Sequence, residues 1–283
     1  NKFTIDQDAI TVKVERPIGL EANLLGAQVH MAVVSNQAMI NLHHSVENSG
    51  LGINKIVLDS VASATACITQ EEKDNGVCLV DLGAELINLS VFINGGIHYS
   101  RTFKMGGSDV TKAIMYAFDT SFSEAERLKL NYGRAQLKAP LEDRLIQFKQ
   151  TESDEACYLS LHSLIEVIEK AYLLIAQSIK QDLKQALKQK DLSRVLKSGF
   201  VLTGGGVLMP GCEELWIDSF RIRSKRSTVD FNKITAKDII LSDPKYTCAL
   251  GLLMYSDADI HLEEIQQKQV AGLGGKIKSL FEL

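Results

Sequence analysis

The chain has 283 residues, of which 45% are hydrophobic and 23% are charged, and its formal net charge is −4. This composition is typical of a soluble α/β protein, and the negative charge argues against a general nucleic-acid binder. Its five cysteines are scattered without metal-type spacing, and no signal peptide or membrane-length apolar run occurs, so we expect a cytoplasmic protein with reduced thiols.

The N-terminal region alternates short strand-like runs with one helix. The chain opens on Asn1 rather than Met, directly into strand-like sequence, and we expect a fragment that lacks an N-terminal part. A metal site at His43 and His44 is disfavoured because adjacent side chains on a helix point apart. The pattern predicts strands at residues 3–5, 10–14, 24–35 and 53–58, a helix at 36–50, and a helix of small residues at 61–69.

The stretch around Asp81 carries the strongest local signals. A strand-like run at residues 77–80 ends on Asp81, a second run follows at 86–93, and Asn94-Gly95 leads into a third run at 97–103. Asn-Gly between extended runs predicts a β-hairpin. Asp81 then lies on a tight turn whose amides can cradle phosphate while the acid holds water on a metal ion. An ordinary hairpin in which Asp81 caps the turn fits the same residues.

Helical patterns follow this hairpin. A glycine bend precedes a helix at residues 110–118, and a second helix is predicted to begin after the cap Ser123. On the second helix Glu126 and Lys129 lie one turn apart, which fits either a solvated ion pair or a ligand-contacting pair. A polar strand pair is predicted at residues 135–150, and a long core helix at 159–187.

A glycine-rich loop follows the strand-like run at residues 195–202. Thr203 is succeeded by Gly204, Gly205 and Gly206, and a helical pattern begins near Cys212. Three glycines after a strand let the backbone approach a ligand that side chains would exclude. The combination of the Asp81 hairpin with this loop is more specific than either stretch alone.

The C-terminal part contains a basic cluster, a helix and an amphipathic tail. Residues 221–226 are interpreted as a solvent-facing basic strand and loop, with a partner or lipid surface as the alternative. Residues 243–255 predict a loop and a buried helix, and residues 256–269 form a polar tether. The amphipathic tail that follows can dock either on its own domain or on a membrane surface. Its apolar stripe consists of Leu273, Ile277, Leu280 and Phe281, flanked by Lys276 and Lys278.

Four segments together resemble a known family. They are residues 58–66, residues 76–92, residues 116–118 with 124–129, and residues 249–253. These segments are similar to FtsA, the actin-like bacterial cell-division family within the actin, sugar-kinase and Hsp70 superfamily of ATPases. The resemblance implies an α/β fold: an actin-like (ribonuclease H-like) domain II preceded by part of the small 1C (SHS2-like) subdomain.

The resemblance also implies a division into subdomains. It gives a partial 1C subdomain at 1–58, a connecting helix at 59–75, subdomain 2A at 76–119 and 195–255, subdomain 2B at 120–194, a linker at 256–269 and a membrane-targeting helix at 270–283.

Nucleotide binding is the site chemistry that the family implies. The cofactor would be ATP with Mg²⁺, with Asp81 holding the metal through water. Ala84, Glu85 and Leu86 replace the family's Gly-Gly-Thr, and no first phosphate loop precedes Asp81, so the sequence predicts at most a weak ATPase. The implied nucleotide-binding residues are Asp81, Gly83, Gly107, Glu126, Lys129, Gly204, Gly205 and Gly206.

The expected role is structural. FtsA proteins anchor the FtsZ ring to the cytoplasmic membrane and help recruit later division proteins. The resemblance implies binding of the FtsZ C-terminal peptide through 2B, self-association into actin-like polymers, contacts with later division proteins through 1C, and peripheral attachment to inner-membrane lipids at the division site. The alternatives are an actin-like ATPase of another role, such as a pilus-assembly relative of FtsA, and a sugar-kinase-type enzyme.

Overall fold

The computed structural model describes residues 2–7, 10–14, 19–28, 30–136, 141–151, 157–229, 234, 240 and 242–255. An N-terminal unit comes first, with a three-stranded antiparallel sheet in the order β2-β1-β3. Its strands are β1 (Lys2–Gln7), β2 (Ile10–Val14) and β3 (Leu24–Gln28), and helix α1 (Asn36–Glu47) follows. The predicted strand at 24–35 is therefore too long, because only residues 24–28 find a hydrogen-bonding partner in β1.

A five-stranded sheet in the order β10-β9-β4-β5-β6 forms the centre of the molecule. Strands β4, β9 and β10 run parallel, while β5 and β6 run antiparallel to their neighbours. Every residue of β9 is buried, as expected for a strand that is covered on both faces. The five strands are β4 (Val77–Leu82), β5 (Ile87–Ile93), β6 (Gly96–Phe103), β9 (Gly199–Thr203) and β10 (Ser224–Arg226).

The predicted hairpin is confirmed. Strands β5 and β6 are joined by Asn94 (φ 51°) and Gly95 (φ 79°), so both central residues are left-handed, as a type I′ turn requires.

Helices cover both faces of the sheet. On one face, Val80 belongs to the main core, together with residues of α4, α5, α6 and α8 such as Ile114, Leu128, Ile168 and Trp216. On the other face a smaller cluster packs against α2. The helices are α2 (Asp59–Cys67), α3 (Gln70–Asn75), α4 (Gly107–Phe118), α5 (Phe122–Tyr132), α6 (Leu161–Ala186), α7 (Leu192–Val195), α8 (Cys212–Phe220) and α9 (Thr247–Met254).

Three local predictions are wrong. Residues 53–58 form no strand, because no described strand pairs with them. In the described part of residues 135–150 the one strand is β7 (Leu145–Phe148), and it pairs with β8 (Cys157–Ser160). Helix α5 is capped by Ser121 rather than Ser123, because the Ser121 hydroxyl accepts the amide of Glu124, the N3 residue.

Helices α2 and α9 cross very closely. A Cβ at Gly251 would overlap the main-chain carbonyl of Ala62, so the two backbones are in direct contact. The small side chains of α2 permit this approach. Among the described helices, none combines the length and the hydropathy that crossing a membrane requires.

Candidate functional site

The two predicted loops lie at the same end of the central sheet. Strands β4 and β9 are parallel neighbours, and Asp81 is directly opposite Thr203. Because the carboxyl ends of parallel strands share one edge of a sheet, the loops that follow them converge, and ligands of α/β folds bind at such edges.

A cavity of about 370 Å³ opens where these loops meet α4 and α5. It is lined by Gly83, Gly107, Glu126, Lys129, Gly205 and Gly206, six of the eight residues implied for nucleotide binding. Asp81 and Gly204 are not among its lining residues. Gly204 packs directly on the Asp81 carboxylate and the Leu82 carbonyl.

The loop between β4 and β5 is fixed by main-chain hydrogen bonds. The Gly83 amide donates to the Leu86 carbonyl (3.1 Å), while Gly107 and Ser108 donate to the carbonyls of Gly83 and Ala84 (3.0 and 2.8 Å). The first amides of α4 are therefore used to hold this loop in place. Glu85 is exposed at the tip of the turn, next to the cavity-lining Ala84.

Glu126 and Lys129 form a network with Thr111 rather than a solvated pair. The Lys129 ammonium lies 2.7 Å from Glu126 Oε2 and donates to Thr111 Oγ1 (2.8 Å) and the Gly107 carbonyl (3.1 Å). The Thr111 hydroxyl donates to Glu126 (2.5 Å). Burial alone would raise the pKa of Glu126, but the hydrogen bonds from Lys129 and Thr111 hold it below its ordinary value. The carboxylate therefore stays ionised in the cavity wall.

The two glycines that line the cavity differ in their surroundings. A Cβ at Gly205 would meet nothing closer than the Lys245 side chain at 3.5 Å, so this backbone faces open space. A Cβ at Gly206 would lie 2.9 Å from both the Leu82 side chain and its carbonyl oxygen. The Gly206 carbonyl accepts a hydrogen bond from the Tyr172 hydroxyl (2.8 Å). Gly206 is thus a packing position, and Gly205 leaves room for a ligand.

Asp81 lies beside a second carboxylate. Burial and the charge of Asp59 raise its pKa to about 6. Asp59 accepts hydrogen bonds from the Asn88 amide (2.5 Å) and the Ser60 backbone (2.6 Å). Within the described part of the chain, no three His, Cys, Asp or Glu side chains converge on a direct metal site.

The sequence did not single out three contributors to the cavity. Thr111 and Tyr172 were interpreted only as helix residues, and Lys245 only as part of a loop. Tyr172 lies on the apolar stripe of α6, and its hydroxyl was the one signal of a polar partner. Thr111 lies one turn after Gly107 on α4, and Lys245 reaches the site from a distant segment, which no local pattern could reveal.

Comparison with known proteins gives the family. The family model described as “Cell division protein FtsA” matches residues 78–251, more than half of the chain. The chain belongs to the FtsA family.

Its FtsA relatives are longer than this chain. It is 27% identical over 277 residues to cell division protein FtsA of Escherichia coli (strain K12), covering 94% of this chain and 64% of that protein. It is 31% identical over 242 residues to the FtsA of Pseudomonas aeruginosa, covering 86% of this chain and 57% of that protein. The chain therefore spans less than two thirds of these relatives.

Solved structures confirm the actin-like α/β fold. MreB5 of Spiroplasma citri bound to ADP superimposes with a TM-score of 0.64 at 17% identity, covering 82% of this chain and 68% of that chain. The PilM-PilN type IV pilus biogenesis complex superimposes with a TM-score of 0.54 at 18% identity, covering 76% of this chain and 56% of that chain. A second family model, “Type IV pilus assembly protein PilM”, matches residues 5–138, less than half of this FtsA-family chain.

The predicted membrane residues of this FtsA-family chain fall outside the described residues. They are Leu273, Lys276, Ile277, Lys278, Leu280 and Phe281. The polar tether at 256–269 also lies outside them, so both assignments stay predictions.

Proposed function

We propose that the residues lining the cavity between the two loops form one side of an adenine-nucleotide cleft. The observation that carries this proposal is the convergence of six implied residues on one cavity. Structural relatives solved with nucleotide support it, including MreB5 of Spiroplasma citri bound to ADP and to AMPPNP. Glu126 and Lys129 would contact the adenosine, and Asp81 would hold Mg²⁺ through water, which would balance the phosphate charge.

The residues present fit such a ligand. The open backbone at Gly205 leaves a surface against which a flat group can lie, and Lys129 and Lys245 bring positive charge to the same cavity. Glu85 opposes the phosphates, because two like charges about 4 Å apart repel by about 1 kcal/mol in water and by more in a cleft. We therefore propose weak nucleotide binding and, at most, slow hydrolysis.

Replacing Gly205 with valine is the test of the nucleotide proposal. The new side chain would fill the cavity without meeting backbone, so ATP affinity should fall at least about tenfold while the melting temperature holds. Glu85→Gly should instead tighten binding several-fold. Titration calorimetry with ATP and Mg²⁺ measures both effects.

Gly52→Val is the matched control, because no atom lies within 4 Å of a Cβ at that position and it lies outside the cavity. Equal affinities for the Gly205→Val and Gly52→Val proteins would contradict this assignment of the cleft. Brisk ATP turnover by the unmodified chain would contradict the argument from Glu85.

We further propose that the protein anchors the FtsZ ring to the cytoplasmic face of the membrane at the division site. Membership of the FtsA family supports a division role. In this proposal residues 120–194 form subdomain 2B and bind the FtsZ C-terminal peptide. Residues 1–58 form part of 1C and contact later division proteins. The chain also self-associates, as actin-like proteins do. Residues 59–75 connect to subdomain 2A, formed by 76–119 and 195–255.

A groove between α4 and α6, at the boundary of the proposed subdomains 2A and 2B, supports a peptide site. It encloses about 500 Å³ and has apolar walls that include Val110, Val167 and Leu174. Its charged lining residues are Lys104, Lys170 and Asp109, and Lys170 also pairs with Glu166 (2.7 Å). An apolar groove with cations suits a short peptide that combines hydrophobic and acidic side chains.

The tail is the proposed membrane anchor. Burying its four apolar side chains stabilises the membrane-bound state by roughly 1.5–3 kcal/mol each. The conformational entropy lost when a short helix becomes ordered offsets part of this gain. Two lysines add about 1 kcal/mol each near an anionic surface. One copy should therefore bind reversibly, and a polymer that presents several copies should bind stably.

Phe281→Asp should release the protein, and labelled FtsZ C-terminal peptide with it, from anionic vesicles in a flotation assay. The melting temperature should not change. Tyr116→Asp is the matched control, because it places the same charge at an aromatic side chain that is 77% exposed. Continued flotation of the Phe281→Asp protein, or its unfolding, would mean that the tail docks on its own domain.

A pilus-assembly role is the second candidate, and the match of residues 5–138 to the PilM family model favours it. A protein of that class is expected to lack the amphipathic tail. The same flotation experiment therefore separates the two roles.

A further inference from the structure

A second cavity, of about 470 Å³, lies at the end of the central sheet opposite the candidate cleft. Strands β4 and β9 begin at this end, at Val77 and Gly199, and end beside the cleft. The cavity lies between the turn of the β5–β6 hairpin and the segment that joins α6 to β9. We name it the basal cavity.

Cations dominate the wall of the basal cavity. Lys188, Lys190, Arg194 and Lys197 all line it and are all exposed, while Asp74 is the one carboxylate among its lining residues. Within the described part of the chain, the three lysines form no ion pair, and Arg194 Nε lies 3.7 Å from Asp191. This clustering stands against a formal net charge of −4 for the whole chain.

The backbone at Lys188 is a second observation. Helix α6 ends at Ala186, and Lys188 follows in the left-handed region (φ 54°), where glycine is the usual residue because it has no Cβ. The Lys188 amide donates to the Gln185 carbonyl (3.1 Å), which fixes the reversal. The chain therefore places a lysine at a position that favours glycine, and that lysine lines the cavity.

Helix-end electrostatics explains only part of this cluster. A cation at a helix C-terminus is favourable, which accounts for Lys188. Lys190, Arg194 and Lys197 lie beyond the last turn of α6, where this effect has faded. Exposed cations that share one cavity wall repel one another weakly in water, and an anion bound between them would remove this repulsion.

We propose that the basal cavity binds a phosphate-bearing anion. Lysine ammonium and arginine guanidinium groups are the protein's main ligands for phosphate oxygens, and the volume accommodates a mono- or diphosphate. The phosphate can belong to a soluble compound or to the headgroup of an anionic phospholipid.

Inorganic pyrophosphate is the first probe, titrated by calorimetry at low ionic strength. The full chain carries Gly205→Val in this assay, so that the candidate nucleotide cleft does not contribute. Lys190→Ala combined with Lys197→Ala should weaken binding at least about tenfold. Lys112→Ala combined with Lys149→Ala makes the same charge change at exposed lysines elsewhere, and it should leave the affinity within about twofold.

Lys188→Gly separates binding from stability. It should raise the melting temperature, because glycine suits the left-handed backbone, and it should lower pyrophosphate affinity several-fold. An unchanged affinity would remove Lys188 from the site.

Vesicles distinguish the two sources of phosphate. With Phe281→Asp in place to disable the tail, weaker flotation of the Lys190/Lys197 variant with phosphatidylglycerol vesicles, but not with phosphatidylcholine vesicles, would indicate a lipid headgroup. Pyrophosphate binding without any vesicle difference would indicate a soluble phosphate. No pyrophosphate binding by the Gly205→Val chain overturns the proposal. A change in sedimentation alone also overturns it, because the cluster would then contact a second copy.

Discussion

Replacing Gly251 with alanine is expected to destabilise the protein by about 2–3 kcal/mol, which lowers the melting temperature by roughly 5–10 °C. The added Cβ would overlap the Ala62 carbonyl, so α2 and α9 must move apart. Alanine is the better helix former by about 1 kcal/mol, and the expected loss already allows for this gain. Thermal unfolding followed by circular dichroism measures the change.

Two controls identify the cause of this loss. Gly52→Ala meets no atom within 4 Å and should leave stability nearly unchanged. Ala62→Gly should not rescue the Gly251→Ala protein, because the clash involves the main chain of Ala62 rather than its methyl group. Rescue by Ala62→Gly, or a Gly251→Ala protein as stable as the parent, would contradict a direct backbone contact.

Asp81→Asn is expected to stabilise the protein by about 2 kcal/mol at pH 7 in Mg²⁺-free buffer. Burial and the Asp59 charge raise the pKa of Asp81 to about 6, above its value in the unfolded chain. Between pH 4 and pH 6 the folded state therefore binds more protons at this carboxyl than the unfolded state does. The stability that it contributes is complete below about pH 4 and is lost as the pH rises through about 6.

The measurement is the free energy of unfolding in urea at several pH values. Relative to the Asp81→Asn protein, the unmodified protein should lose stability between pH 4 and pH 7, because the other carboxyl groups contribute to both profiles. Asp59→Asn should shift the loss to lower pH, because removing the neighbouring charge lowers the pKa of Asp81. Identical profiles for the parent and the Asp81→Asn protein would refute the argument.

Much of the local structure was determined by the sequence alone. Asn94-Gly95 gives the hairpin because both turn residues must be left-handed, and few other residue pairs tolerate this. The apolar periodicity of residues 159–187 gives the long core helix, observed as Leu161–Ala186. The spacing of Glu126 and Lys129 placed both on one face of α5, where they form their ion pair. These features depend on neighbours a few residues apart, and such patterns are legible along the chain.

Features that need a distant partner could not be predicted in this way. Residues 53–58 have a strand-like pattern but form no strand, because no described strand pairs with them. Strand β7 pairs with the next strand along the chain, β8, whereas the sequence pattern placed both strands of a pair within residues 135–150. A strand exists only when another strand supplies its hydrogen bonds, and the local sequence does not specify which strands are free.

The candidate site shows the same division. The sequence alone identified the glycines and the acidic and basic residues as candidates for the site, because the chemistry of these residue types is known wherever they occur. The tertiary structure decided their roles: Gly205 faces open space, whereas Gly206 is closed by Leu82 and Gly204 by Asp81. It also brought Lys245 to the cavity, placed Thr111 against Glu126 and Lys129, and placed Asp59 beside Asp81. Available space and the energy of a charge depend on everything nearby, and packing brings together residues that lie far apart in the chain.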